Sequence, residues 1–171
     1  MNPEDLNRLY DAHAAGLVGY LRSFGAQEAD ARDLLQEVFV KLACLQGVTM
    51  LNEKAYLYRL AHNLALNWLR RHRSKARLEE QLQWQSASSD SSEVRTPSRD
   101  DATLIQREVR AALQQLPQEQ RAVLQLKWHE ELSFEQIAQV QAVSRNTAAS
   151  RHRHALEKLR TLLRPLYEEL T

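Results

Sequence analysis

The residues best equipped for chemistry lie towards the end of the chain. Ser144-Arg145-Asn146-Thr147 opens a polar run that continues through Ala149, Ser150, Arg151 and Arg153. An Arg guanidinium can bond the O6/N7 edge of guanine through two parallel hydrogen bonds, and an Asn amide the N6/N7 edge of adenine. Arg145, Asn146 and Arg151 are therefore the candidate base readers, whereas Ser144, Thr147 and Ser150 suit phosphate oxygens. Ala149 offers a methyl group, which fits packing against a thymine methyl. Such groups need a rigid carrier. Ser133 with Gln136 three residues on has the spacing of a capping box and opens a short helix holding Ile137 and Ala138. Val140 to Val143 is the break, and Ser144 caps a longer helix that reaches about Leu163 before Pro165 stops it. A short helix, a turn and a longer helix with polar first turns is the outline of a helix-turn-helix, whose second helix enters the major groove of duplex DNA.

A second basic cluster stands far from the first. Residues 70–77 carry 5 bases and no acid, and residues 144–164 carry 6 bases and 1 acid, although the whole chain has a net charge of only +1. Two such stripes can neutralise phosphates at two places, or can be solvated helix faces. Between them the composition turns to Gln, Ser and Asp, and residues 78–103 carry 6 acids and 2 bases. That segment has too little apolar surface to offset the entropy of ordering it, so it reads as a flexible acidic linker between an N-terminal unit, 1–77, and a C-terminal unit, 104–171.

The rest of the chain points to helices as the positioning elements. Only 4 Gly and 4 Pro occur in 171 residues rich in Leu, Ala, Gln, Glu and Arg, which suits an all-α fold of two small helical domains. Asn2 and Pro3 predict the start of a first helix with Leu6, Leu9, Tyr10, Leu17 and Leu21 as its apolar stripe, and Gly25 as its end. A second helix, about 28–45, places Leu34, Leu35, Val38, Phe39, Leu42 and Leu45 inward and Asp33, Gln36, Glu37 and Lys41 outward. After a loop at 46–52, a third runs from about Glu53 to Lys75 on Leu57, Leu60, Ala61, Leu64 and Trp68. Two more, 104–115 and 117–129, precede the helix-turn-helix, the second starting at Pro117.

Other chemistries lack their residues. No His-Glu-x-x-His, Cys-x-x-Cys or Gly-rich phosphate loop occurs, and His152 and His154, two apart, face different sides of a helix. No catalytic residue, metal or cofactor is expected. Cys44, beside Leu42 and Leu45, reads as a small packed residue, and Trp68 and Trp128 as core. The longest stretch free of Asp, Glu, Lys and Arg is the 11 residues from Leu42 to Asn52, too short to span a bilayer, which takes ~20 apolar residues. With one cysteine and an acidic N-terminus, the expected location is a reducing cytoplasm.

Several runs together resemble a family. Leu116-Pro117 with Arg121, Leu132 to Ala138, Ser144 to Arg151 and Ala155 to Arg160 resemble the fourth conserved domain of bacterial sigma factors of the extracytoplasmic-function class. Asp30 to Phe39, Tyr56 to Asn63 and Trp68 to Arg71 resemble the second domain of the same family. The resemblance implies a subunit that binds core RNA polymerase and directs promoter-specific initiation. Asp33, Gln36 and Glu37 would meet the β′ clamp helices. The loop 46–52 and the start of the third helix would capture a flipped base of the −10 element. Asn63 falls on a promoter-facing position, and Arg59, His62, Arg70, Arg71 and Arg73 would hold phosphates. The helix-turn-helix would read the −35 element, with its apolar flank against the β flap. An anti-sigma protein is a further implied partner. Ala142 stands where the family often has Gly, and the Ala Cβ would be strained there at positive φ. The rival reading is a stand-alone helix-turn-helix regulator with an N-terminal effector or dimerisation domain.

Overall fold

A computed structural model describes residues 2–45, 52–85 and 104–170, and all its regular structure is helical. The elements are α1 (Pro3–Arg22), α2 (Glu28–Ala43), α3 (Glu53–Gln85), α4 (Leu104–Gln114), α5 (Gln118–Trp128), α6 (Phe134–Gln141) and α7 (Arg145–Leu170). The loop expected at 46–52 lies outside the described residues but for Asn52, as does the acidic segment 86–103.

Most start signals act as the sequence predicts, although Pro117 caps α5, which begins at Gln118. The Asn2 side chain accepts from the Glu4 amide, with Pro3 in the first turn of α1. Asn52 does the same for α3, its Oδ1 accepting from the Ala55 amide at 2.9 Å. Ser133 and Gln136 form the capping box of α6, and Ser144 Oγ accepts from the Thr147 amide at 3.0 Å to open α7.

Two stops differ. Helix α3 runs ten residues past Lys75, because the stretch 76–85 contains strong helix formers and neither Gly nor Pro. Pro165 lies inside α7 instead of ending it. It forfeits one bond to the Thr161 carbonyl, but the exposed Arg164–Glu168 pair at 2.9 Å spans it and Leu162 and Leu163 anchor the preceding turn.

Helices α1, α2 and α3 pack around Leu9, Leu17, Tyr20, Leu21, Leu35, Val38, Leu57, Tyr58 and Ala61, all nearly inaccessible to water. The same cluster continues without a break into the C-terminal half, through Val123 and Leu126 of α5, Leu132, and Ile137 and Val140 of α6. The two halves therefore share one core, with α3 against α6 and α1 against α5. A smaller cluster of Ala112, Leu116, Leu124, Ala155 and Leu159 joins α4, α5 and α7.

Three residues expected to be buried face outwards. Trp128 is 51% exposed and Cys44 is exposed at the end of α2. Each follows a buried leucine, Leu126 or Leu42, by two positions, and two helical positions turn a side chain through about 200°, onto the opposite face. Tyr10, 47% exposed, follows Leu9 by one and lies edge-on to Phe39.

The turn of the helix-turn-helix is left-handed at Ala142, with φ 53° and ψ 46°. This lets the Val143 amide reach the Ala138 carbonyl at 3.0 Å, but a Cβ in this region costs about 1–2 kcal/mol. Ala142→Gly, at an exposed position, is expected to stabilise the chain by about 0.5–1 kcal/mol, net of the added unfolded-state entropy. Urea denaturation read by helical circular dichroism checks this; an unchanged or lowered midpoint contradicts it.

Candidate nucleic-acid interface

The start of α7 presents Ser144, Arg145, Asn146 and Thr147 to solvent, with Arg153 one face further on and also exposed. Ala148 is buried on the shared core and holds the helix down by its inner side. Arg145 is paired with Glu135 of α6. The Glu135 carboxyl is held below the usual carboxylate range by its own backbone amide first, with Arg145 adding to the effect. The pair is fully hydrated, so it orients the guanidinium over the α6–α7 junction while leaving it free to exchange partners.

Ala149, Ser150 and Arg151 are half-buried. Arg151 donates to Gln141 Oε1 at 2.9 Å, and Gln141 in turn donates to the Glu119 carbonyl at 3.2 Å. Arg151 is thus turned towards α5 and α6 in this arrangement, not into the row formed by Arg145 and Asn146. His152 fills an aromatic niche between Trp128 and Phe134, at ring-centroid distances of 6.2 and 5.5 Å, and burial lowers its pKa.

On the N-terminal side, Arg59, Asn63, Arg70, Arg71 and Arg73 are all exposed along α3. His72 stacks on Trp68 with centroids 4.0 Å apart, which stiffens this part of the helix. Asp33, Gln36 and Glu37 are exposed on the outer face of α2, where Glu37 pairs with Lys41. Among the described residues no cluster of His, Cys, Asp and Glu is placed to hold a metal ion, and no helix is long and apolar enough to cross a membrane.

His62 departs from the expectation of a phosphate ligand. It is 4% exposed, shares a 2.8 Å hydrogen bond with the Tyr20 hydroxyl, and lies edge-on to Phe24. Burial chiefly, and then the positive charge of Arg151, push its pKa down to about 4, against a smaller opposing pull from Glu119. A neutral, enclosed imidazole cannot neutralise a phosphate in this arrangement. The spacing Tyr58, Ala61, His62, Ala65 was the available signal, since these positions share one face of α3.

An ion pair that no local pattern announces lies at the same interface. Lys54 of α3 meets Glu130, in the turn after α5, with Nζ 3.1 Å from Oε2 and 2.7 Å from the Glu130 carbonyl oxygen. Glu130 is 9% exposed and packs over Gly16 of α1. These partners are 76 residues apart along the chain, and no local pattern could have joined them.

The comparisons match this arrangement of elements. Residues 9–75 match the family described as Sigma-70 region 2, and residues 112–161 match Sigma-70, region 4. The ECF RNA polymerase sigma factor SigL of Mycobacterium tuberculosis is 30% identical over 164 residues, covering 94% of this chain and 90% of the relative. The chain belongs to the ECF RNA polymerase sigma factors. The ECF RNA polymerase sigma factor SigX of Bacillus subtilis is 27% identical over 98% of this chain and 88% of its own length. In fold, the chain resembles the sigma factor RpoE solved with the anti-sigma factor NepR from Bartonella quintana, at a TM-score of 0.66 and 21% identity over 94% of this chain and 98% of that one. It also resembles CnrH solved with the cytosolic domain of CnrY, at 0.69 and 23% over 96% and 90%.

The depressed His62 pKa has a definite sign. An unfolded histidine takes up its proton near pH 6.5, whereas the buried one does so near pH 4. The unfolded chain therefore binds more protons in this window. The sigma factor's stability is fully present above about pH 6.5 and falls as pH drops towards 4, by at most about 3 kcal/mol from this residue. His62→Gln should flatten that part of the profile. Urea midpoints of the two proteins measured from pH 7.5 to 4.5 decide it, and parallel profiles would refute it.

Proposed function

We propose that this sigma factor reads the −35 and −10 elements of its promoters while mounted on core RNA polymerase, and helps to separate the strands at the −10 region. What carries the reading is one chain with two cationic surfaces in the family order. One is the exposed row Arg145, Asn146 and Thr147 at the start of α7; the other is Arg59, Asn63, Arg70, Arg71 and Arg73 along α3.

Residues 104–171 take the −35 duplex. Arg145 and Asn146 read base edges, Ser144, Thr147, Ser150 and Arg153 hold phosphates, and Ala149 packs on a thymine methyl. Arg151 joins them once released from Gln141. Residues 1–77 take the −10 region. Base capture at 46–52 offsets the lost pairing, and the cationic end of α3 holds the strands. Asp33, Gln36 and Glu37 dock on the β′ clamp helices, and the apolar flank of the helix-turn-helix meets the β flap. The acidic segment, read from the sequence as 78–103 and helical up to Gln85, carries a negative charge that imitates nucleic acid in the RNA-exit path. An anti-sigma protein is a fitting partner, as the anti-sigma factor NepR is in its complex with RpoE. The chain supplies recognition, not bond chemistry, and works in the cytoplasm where the polymerase is.

Purified core RNA polymerase plus the chain should yield promoter-dependent transcripts; a stand-alone regulator would bind duplex DNA and initiate nothing. Arg145→Ala and Asn146→Ala should each cost about 1–3 kcal/mol of discrimination at the upstream element, seen as relaxed sequence preference in holoenzyme binding. Equal loss on every upstream sequence would refute base reading. Replacing Arg70, Arg71 and Arg73 by Ala should lower promoter affinity and flatten its dependence on salt by about one log unit per lost phosphate contact. An unchanged salt slope would remove them from the interface.

A further inference from the structure

The interface between the two halves places side by side surfaces that the promoter needs far apart. Arg151 is close enough to His62 to depress its pKa, and α6 lies along α3. Elements centred near −35 and −10 are about 25 base pairs apart, about 85 Å of straight duplex at 3.4 Å per pair. DNA with a persistence length of about 150 base pairs does not fold back within that distance without severe cost. The packed arrangement therefore cannot read both elements at once.

We propose that the free chain is held shut by an ionic latch, Lys54 on Glu130 seated over Gly16, and that this contact must break before a promoter is read. The proposal rests on the promoter-reading function above for its consequence, and on the interface geometry alone for the latch. The apolar cluster supplies the attraction between the halves, and the polar contacts fix where they meet. Glu130 reaches inward from the turn at 129–132, which Glu131 makes at φ 55° and the Leu132 amide closes on the Leu126 carbonyl at 3.0 Å. Its side chain is 10% exposed and that of Lys54 33%, so the charge-assisted contact is largely withdrawn from water.

Gly16 makes the fit possible. A Cβ there would stand 2.5 Å from the Tyr58 hydroxyl and 2.7 Å from Glu130 Oε1, too near for any side chain to share the space. His13 of α1 faces the same charges from the side, with Arg8 and Glu53 paired at 2.9 Å beyond it. A second contact works at the other end, where Arg121 of α5 donates to the Ser23 carbonyl at the C-terminus of α1, 3.1 Å away. Removing one partner of the latch strands the other charge in a half-dry site, which disfavours closure more than the pair itself favours it.

The test uses the full chain. Cys44 is exposed and is the only cysteine, so with Lys158→Cys on the exposed face of α7 it gives a dye pair across the two halves. Wild type should show high energy transfer, while Glu130→Lys and Lys54→Glu should each raise the open-to-closed ratio about tenfold or more. The double exchange, Lys54→Glu with Glu130→Lys, should restore transfer, which a merely misfolded variant would not do. Unlabelled Glu130→Lys should bind core RNA polymerase several-fold more tightly than wild type, because less of the binding energy goes into opening. Unchanged transfer in both single variants, or equal core affinity for Glu130→Lys and wild type, overturns the latch. Absence of promoter-dependent transcripts with wild type overturns the functional reading instead, and leaves the transfer series to decide the latch separately.

Discussion

The structure depends on the burial of one aromatic and aliphatic face, shared by α1 and α3, beneath α5 and α6. Tyr20, Leu57, Tyr58 and Ala61 are fully enclosed, and the residues that help to enclose them include Leu126 and Ile137 from the other half of the chain. A unit of roughly seventy residues builds only a marginal core by itself. Continuing the cluster across both halves removes more apolar surface from water than either half could alone. The polar groups caught at that boundary then had to find partners, which accounts for Tyr20 on His62, Lys54 on Glu130, and Arg121 on the Ser23 carbonyl.

The same burial sorts the charges. Cations at the start of α7 and along α3 have no apolar face to join, so they stay in water where phosphate could meet them. Arg151 and His62, at the margin between the halves, are drawn inward and linked through a shared electrostatic environment. In the proposed role Arg151 would face DNA, whereas the packed form keeps it on Gln141. That opposition falls at the interface between the two halves.

Much of this was legible before any coordinates. Asn2, Pro3, Ser133, Gln136 and Ser144 mark helix starts because capping is a local matter of one side chain and amides two or three residues away. The same cap at Ser144 leaves the polar row 144–147 exposed at the start of α7. Stops were harder to read. The polar stretch after Lys75 resembled a linker in composition yet kept helix-forming residues, and Pro165 proved tolerable at an exposed terminal turn. Trp128 and Cys44 are apolar in character but exposed, because each stands two helical positions from a buried leucine.

The helices, their caps, the two basic stripes and the family are each encoded within a few neighbouring residues and can be read from the chain alone. That the halves share a core, that His62 is enclosed and neutral, and that Lys54 meets Glu130 emerges once the chain has folded. Those outcomes depend on which distant surfaces come together, and attraction between buried faces is non-directional, leaving no mark in local spacing.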